Sequence, residues 1–164
     1  MALPIDVKGP VLAEVFSVAL DERGIVLTGP CGAAPWYIEV HDGEEPLDVV
    51  RRTVQGELTK VLLIHSTSWH WERSAVTLSF VVVMAAEGIG SMEAIPVART
   101  DLARGSATEA PSTIQFQQVL EHGLRHLAWL AKEDEVVRTK LSKGWHQVLN
   151  GYVPEPFRQL QNVG

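Results

Sequence analysis

Val40-His-Asp-Gly-Glu-Glu-Pro-Leu-Asp-Val-Val-Arg-Arg-Thr-Val-Gln-Gly-Glu-Leu-Thr59 is the stretch on which the fold turns. Asp42-Gly43 is a turn pair, and Pro46 suits the first turn of a helix, where its missing N–H is not needed. Beyond it Leu47, Val50, Val54 and Leu58 are spaced three, four and four, the apolar stripe of an amphipathic helix. The spacing predicts a helix over about 46–60.

Upstream of this helix the period is that of strands. Val11 to Leu20 is rich in β-formers, Asp21-Glu22-Arg23-Gly24 reads as a turn, and Ile25 to Thr28 as the returning strand of a hairpin. Gly29 to Pro35 reads as a loop, and Trp36 to Val40 alternates apolar and polar side chains as a half-buried strand does. Downstream, Val61 to Ile64 is a short buried strand, Ser66 to Trp71 is polar and aromatic, Ala75 to Met84 is a long strand, and Met92 to Ala98 is a further strand candidate. Residues 101–112 read as a loop. A helix is expected over 113–130, with Phe116, Val119, Leu120, Leu124, Leu127 and Leu130 on one face, and a second over 134–150 through Val137, Leu141, Trp145 and Val148. Strands around one central helix, followed by helices, give an α/β or α+β pattern.

The quoted stretch resembles the Nudix box, G-x5-E-x7-R-E-U-x-E-E-x-G-U with U a bulky aliphatic. Laid without gaps over Ile38 to Lys60, Glu44 matches the first Glu, Arg52 the Arg, Val54 the aliphatic and Glu57 the last Glu. Gly43-Glu44-Glu45-Pro46 also has the family's Gly-Glu-x-Pro beginning. The box is degenerate: Ile38, Thr53, Gly56, Thr59 and Lys60 replace a Gly, two Glu, a Gly and an aliphatic. The resemblance, which spans roughly Val11 to Ala98, implies a Nudix-like mixed sheet with the central helix at about 46–60 and C-terminal helices packed on it. The expectation is a single domain over 1–164, with a C-terminal helical extension from about 113.

The substitutions have a chemical consequence. At about 100° per residue, positions 53, 56 and 57 fall on one arc of the helix, with Val49 also on it. In Nudix enzymes three Glu on that arc hold magnesium against a diphosphate, and magnesium requires hard oxygen ligands. Here Glu57 alone remains, and without the metal both the Lewis acid and the water-activating roles disappear. The resemblance therefore implies a vestigial ligand in Glu57, no confident catalytic or metal site, no predicted cofactor, and Mg2+ only if carboxylates outside the box, such as Glu39, Glu72, Glu87 or Glu93, are recruited. Glu44 and Arg52 are expected to brace the loop before the helix.

Other residues carry weaker signals. Trp69 and Trp71, in His65-Ser66-Thr67-Ser68-Trp69-His70-Trp71-Glu72-Arg73, share one strand face and could stack a base or sugar; the plainer expectation is packing against the C-terminal helices. A Ser66, His70, Glu72 triad lacks any nucleophile elbow. His122 and His126, four apart on a helix, have metal-pair spacing but are read as partly buried, hydrogen-bonded imidazoles. The candidate ligand contacts are thus Glu44, Arg52, Glu57, Trp69 and Trp71.

Composition bounds the partners. The 164 residues are 46% hydrophobic with a formal net charge of −6, a globular composition without the basic footprint of nucleic-acid binding, so no nucleic acid polymer is expected as a partner. One cysteine, Cys31, allows neither an intrachain disulfide nor a multi-cysteine zinc site. Met1 to Asp6 shows no signal-peptide pattern, and the apolar run Phe80 to Ala86 is too short for a bilayer span, so the expectation is a cytoplasmic protein with no membrane partner. Three functions follow: a small-ligand protein, with nucleotides among the candidates, or an interaction protein; an active Nudix-type hydrolase of a nucleoside diphosphate-linked substrate; or a structural subunit that self-associates, as a homodimer, through its C-terminal helices.

Overall fold

A computed structural model of the protein describes residues 10–72, 75–100 and 115–155. The first strand, β1 (Val11–Asp21), organises a mixed sheet with β2 (Gly24–Thr28), β3 (Trp36–Val40), β4 (Val61–Glu72), β5 (Ala75–Met84) and β6 (Ala94–Pro96). Along one edge β1 runs parallel to β5, from Val11 opposite Val76 to Val18 opposite Val83. Its other edge is divided. The half Ser17 to Asp21 pairs antiparallel with β2 through the Asp21–Gly24 turn, and the half Val11 to Val15 pairs antiparallel with β3. The order across the sheet is β4-β5-β1-β2-β6, with β3 beside β2 along β1.

Alternation along β1 sends side chains to two faces, and each face has its own core. Ala13, Val15 and Ala19, with Val26, Trp36, Val40, Phe80, Val82 and Met84, lie against the helix α1 (Pro46–Glu57). Phe16 and Val18, with Leu27, Leu63, Val81 and Val83, lie against α2 (Phe116–Glu133), α3 (Glu135–Lys140) and α4 (Lys143–Leu149). The result is a three-layer arrangement of helix, mixed sheet and helices, an α+β fold. Gly123 lets α2 approach closely: a Cβ there would stand 2.9 Å from Val81 Cγ2.

Several expectations are corrected in detail. α1 ends at Glu57 rather than near residue 60, because Leu58 turns extended while its N–H closes on the Val54 carbonyl, and Lys60 then takes a φ of 57°. Its buried stripe is Val49, Val50 and Val54, with Leu47 only half-buried, so Val49 belongs to the core. β4 runs on through the polar-aromatic stretch to Glu72; register shifts at Val61/Leu63 and Ser66/Ser68 interrupt the alternation, which hid the strand. The helix expected over 134–150 is two, broken at Leu141, where Ser142 Oγ accepts from the Trp145 N–H at 3.4 Å and starts α4. The helix expected from 113 begins at Phe116, and both 113–114 and the loop over 101–112 lie outside the described residues. Trp145, Leu149 and Val137 are buried with the α2 stripe against the sheet. Among the described residues no helix is long and apolar enough to cross a membrane.

Candidate functional site

The loop before α1 is built on Glu44. Gly43, at φ 83°, makes the turn that brings its carboxylate back over the chain. Glu44 Oε2 accepts from the His41 N–H at 3.0 Å and Oε1 accepts from Arg52 Nη2 at 3.3 Å. The His41 amide, with Arg52 behind it, holds this carboxyl below its ordinary value. Both box residues are thus engaged in tying loop to helix, the bracing role expected of them.

The arc that would carry magnesium ligands is different. Thr53 is half-buried and its hydroxyl donates to the Val49 carbonyl one turn back, at 2.9 Å. Gly56 and Glu57 are exposed. Of the outside carboxylates, Glu39 lies 3.6 Å from His41 Nδ1, and Glu87 sits exposed in the turn Ala86–Gly88. Glu93 has its carbonyl under the Thr28 hydroxyl and its carboxylate near Gly32, while the Glu72 side chain lies outside the described residues. Among the described residues no group of three or more His, Cys, Asp or Glu is placed to hold a metal ion.

Trp69 and Trp71 do share a face, as expected, but it is the α1 face. Trp69 is opposite Leu78 and Trp71 opposite Val76, so neither packs on the C-terminal helices, and Trp71 remains 55% exposed. The register shift at Ser66/Ser68 is the physical reason, since one extra residue in β4 exchanges the faces of everything after it. The two tryptophans therefore stand on the same side of the sheet as Glu44, Arg52 and Glu57, without a hydrogen bond or ring contact among the described residues that joins them.

On the opposite face the structure assembles residues that the sequence reading passed over. Glu121, 1% exposed, accepts from Arg99 at 3.1 Å and from Arg125 at 3.2 Å, while Arg99 also covers the Tyr152 ring and donates to the Gly151 carbonyl. Arg125 and His122 reach the Glu155 carboxylate at 3.6 and 3.5 Å. This network fastens the chain after α4 to α2. His126 does not pair with His122. Its Nδ1 lies 3.2 Å from the Glu155 carbonyl, and its Nε2 lies 3.1 Å from His65 Nε2. A carbonyl only accepts, so Nδ1 carries the proton and His126 Nε2 accepts from the His65 N–H.

Burial, reinforced by the charge His126 would present and opposed by Asp134, lowers the His65 pKa; burial is also the main cause at His126, with the Glu155 carbonyl opposing and His122 adding to it. The fold therefore favours both rings neutral. Their contribution to stability is fully present above the ordinary histidine value of about 6.5 and is lost as pH falls from there through the folded values. Thermal melts at pH 7.5 and 5.5 are expected to show a drop of several degrees that His65→Gln reduces. An equal drop in that variant would assign the acid sensitivity elsewhere.

A second cluster lies at the β3 end of this face. Glu14, 3% exposed in the middle of β1, accepts from Tyr37 Oη at 2.8 Å and from Ser79 Oγ at 3.2 Å. The signal was available in the sequence as a lone carboxylate inside an otherwise apolar strand, Val11-Leu-Ala-Glu-Val-Phe16. No family model matches this chain, and no curated protein matches it.

Proposed function

We propose that the protein is Nudix-like, that its degenerate box does not carry out magnesium-dependent diphosphate hydrolysis, and that it acts by binding a small ligand, with nucleotides among the candidates, or by interaction. The observation that supports this reading is the helix arc itself. Thr53 turns its hydroxyl onto the helix backbone, Gly56 offers no side chain, and Glu57 is one exposed carboxylate where three are needed. A single solvated carboxylate holds magnesium weakly, because the ion gives up its water shell only for several hard oxygen ligands in octahedral array. Glu44 and Arg52, two more of the matching positions, serve the loop.

The hydrolase alternative requires Glu39, Glu72, Glu87 or Glu93 to meet Glu57 around a metal, and a substrate panel decides it. With nucleoside diphosphate sugars, dinucleoside polyphosphates and nucleoside triphosphates at millimolar magnesium, we expect no turnover above the uncatalysed background. Magnesium-dependent release of phosphate or nucleotide that is lost in Glu57→Ala would overturn the reading.

A further inference from the structure

β4 forms one edge of the sheet, and among the described residues no strand pairs with its outer side. It is the longest of the six strands, twelve residues from Val61 to Glu72. From Val61 to Trp71 it carries no lysine, arginine, aspartate, glutamate or proline. An unpaired edge offers a row of backbone donors and acceptors to any other strand, and soluble proteins ordinarily blunt it with shortness, charge or proline. The opposite edge is blunted in that way. β6 has three residues and ends at Pro96, and its Ala94 carbonyl accepts from Arg23 Nη2 at 3.3 Å.

β4 also holds three of the exposed large apolar side chains, Leu62 at 36%, Trp69 at 38% and Trp71 at 55%. Ile64, Trp69 and Trp71 lie on the α1 face of the sheet. These apolar residues flank Ser66 and Thr67 on both sides. The irregularity between Ser66 and Ser68 does not block the edge, because Thr67 turns inward: it is 2% exposed and its hydroxyl donates to the Ser79 carbonyl at 3.3 Å.

We propose that the outer edge of β4 is a dimer interface, and that its partner is β4 of a second copy of this chain, antiparallel about a two-fold axis between Ser66 and Thr67. The spacing of the apolar residues makes this edge complementary to itself. The two-fold sets Ile64 opposite Trp69 of the partner subunit and Leu62 opposite Trp71 of the partner subunit, and aromatic–aliphatic pairs of this kind stabilise antiparallel strands. It also gathers the Thr67 irregularities of both chains at the axis. A two-fold contact uses each β4 edge once and therefore closes at two chains, and the short β6 edge offers no second site for growth. A standard interface takes about 800 Å² from each partner, and one strand edge with two half-exposed tryptophans falls short of that, which places the dissociation constant on the order of 10 µM. The inference rests on the interaction arm of the function proposed above and names its partner.

The test is sedimentation velocity of the full chain over a concentration series spanning that constant, in reductant so that the exposed Cys31 cannot link chains. A reversible shift from monomer to dimer is expected, with no larger species. Trp71→Lys is expected to weaken the dimer at least tenfold while melting as the wild type does when dilute, because the side chain it replaces is more than half exposed. Leu62→Lys, also at an exposed position, carries the test if Trp71→Lys melts early. Val136→Lys, at an exposed position on α3, is expected to leave the dimer unchanged. A wild-type chain that stays monomeric throughout, one that grows beyond two copies, or a dimer lost in Val136→Lys and unaffected by both β4 substitutions would overturn the interface. Glu57-dependent turnover in the substrate panel would overturn the reading of the box and leave the dimer to be judged on sedimentation alone.

Discussion

Val54→Asp is expected to abolish cooperative folding or to lower stability by on the order of 4 kcal/mol or more, among the largest effects of a single substitution. Val54 is fully buried on α1, at the centre of the core formed with Val15, Phe80 and Val82. The substitution removes apolar burial worth about 1.5–3 kcal/mol and places a carboxylate where no partner can reach it. The carboxylate must either remain uncharged or draw water into the interface between helix and sheet. Chemical denaturation followed by tryptophan fluorescence reads the effect, since Trp36 sits in the same core. A midpoint close to that of the wild type would mean that α1 does not pack as described.

Removal of residues 113–164 is expected to be equally severe. It strips α2, α3 and α4 from the sheet and exposes Phe16, Val18, Leu27, Leu63, Val81 and Val83 together. A contiguous apolar surface of that kind is rarely tolerated by a soluble monomer. The truncated chain should be insoluble, or retain strand signal in the far ultraviolet while losing its near-ultraviolet signal and binding a hydrophobic dye. A soluble fragment with a cooperative melt would show that the sheet and α1 fold without these helices.

The parts of the fold that were legible from sequence are those set by local periodicity. The three-four-four spacing of Leu47, Val50, Val54 and Leu58 located α1, and Val119, Leu120, Leu124, Leu127 and Leu130 located α2 and its buried face. What was not legible depends on pairing between distant residues. The length of β4 was hidden because its bulges break the alternation that marks a strand, and they also decide that Trp69 and Trp71 face α1. The break at Leu141 was hidden because Val137, Leu141, Trp145 and Val148 keep a helical spacing across it, while the cap at Ser142 overrides that spacing.

The candidate site divides in the same way. Glu44, Arg52 and Glu57 could be placed because they lie within one short segment, and the brace formed by the first two is the geometry found. Glu14, Tyr37 and Ser79 could not, since they meet only through the parallel pairing of β1 with β5 and the antiparallel pairing of β1 with β3. Glu121 was likewise unremarkable as one polar residue on an amphipathic helix, until Arg99 and Arg125 were seen to close on it.

The proposal that the exposed arc of α1 holds no magnesium is tested most directly by titrating Mn2+, the spectroscopic counterpart of magnesium, and following free ion by electron paramagnetic resonance. The wild-type protein is expected to bind no more tightly than a single exposed carboxylate does, with Glu57→Ala indistinguishable from it. The double substitution Thr53→Glu with Gly56→Glu, which with Glu57 puts three carboxylates on one arc of α1, is expected to tighten binding at least tenfold. Tight, stoichiometric Mn2+ binding by the wild type that disappears in Glu57→Ala would contradict the account.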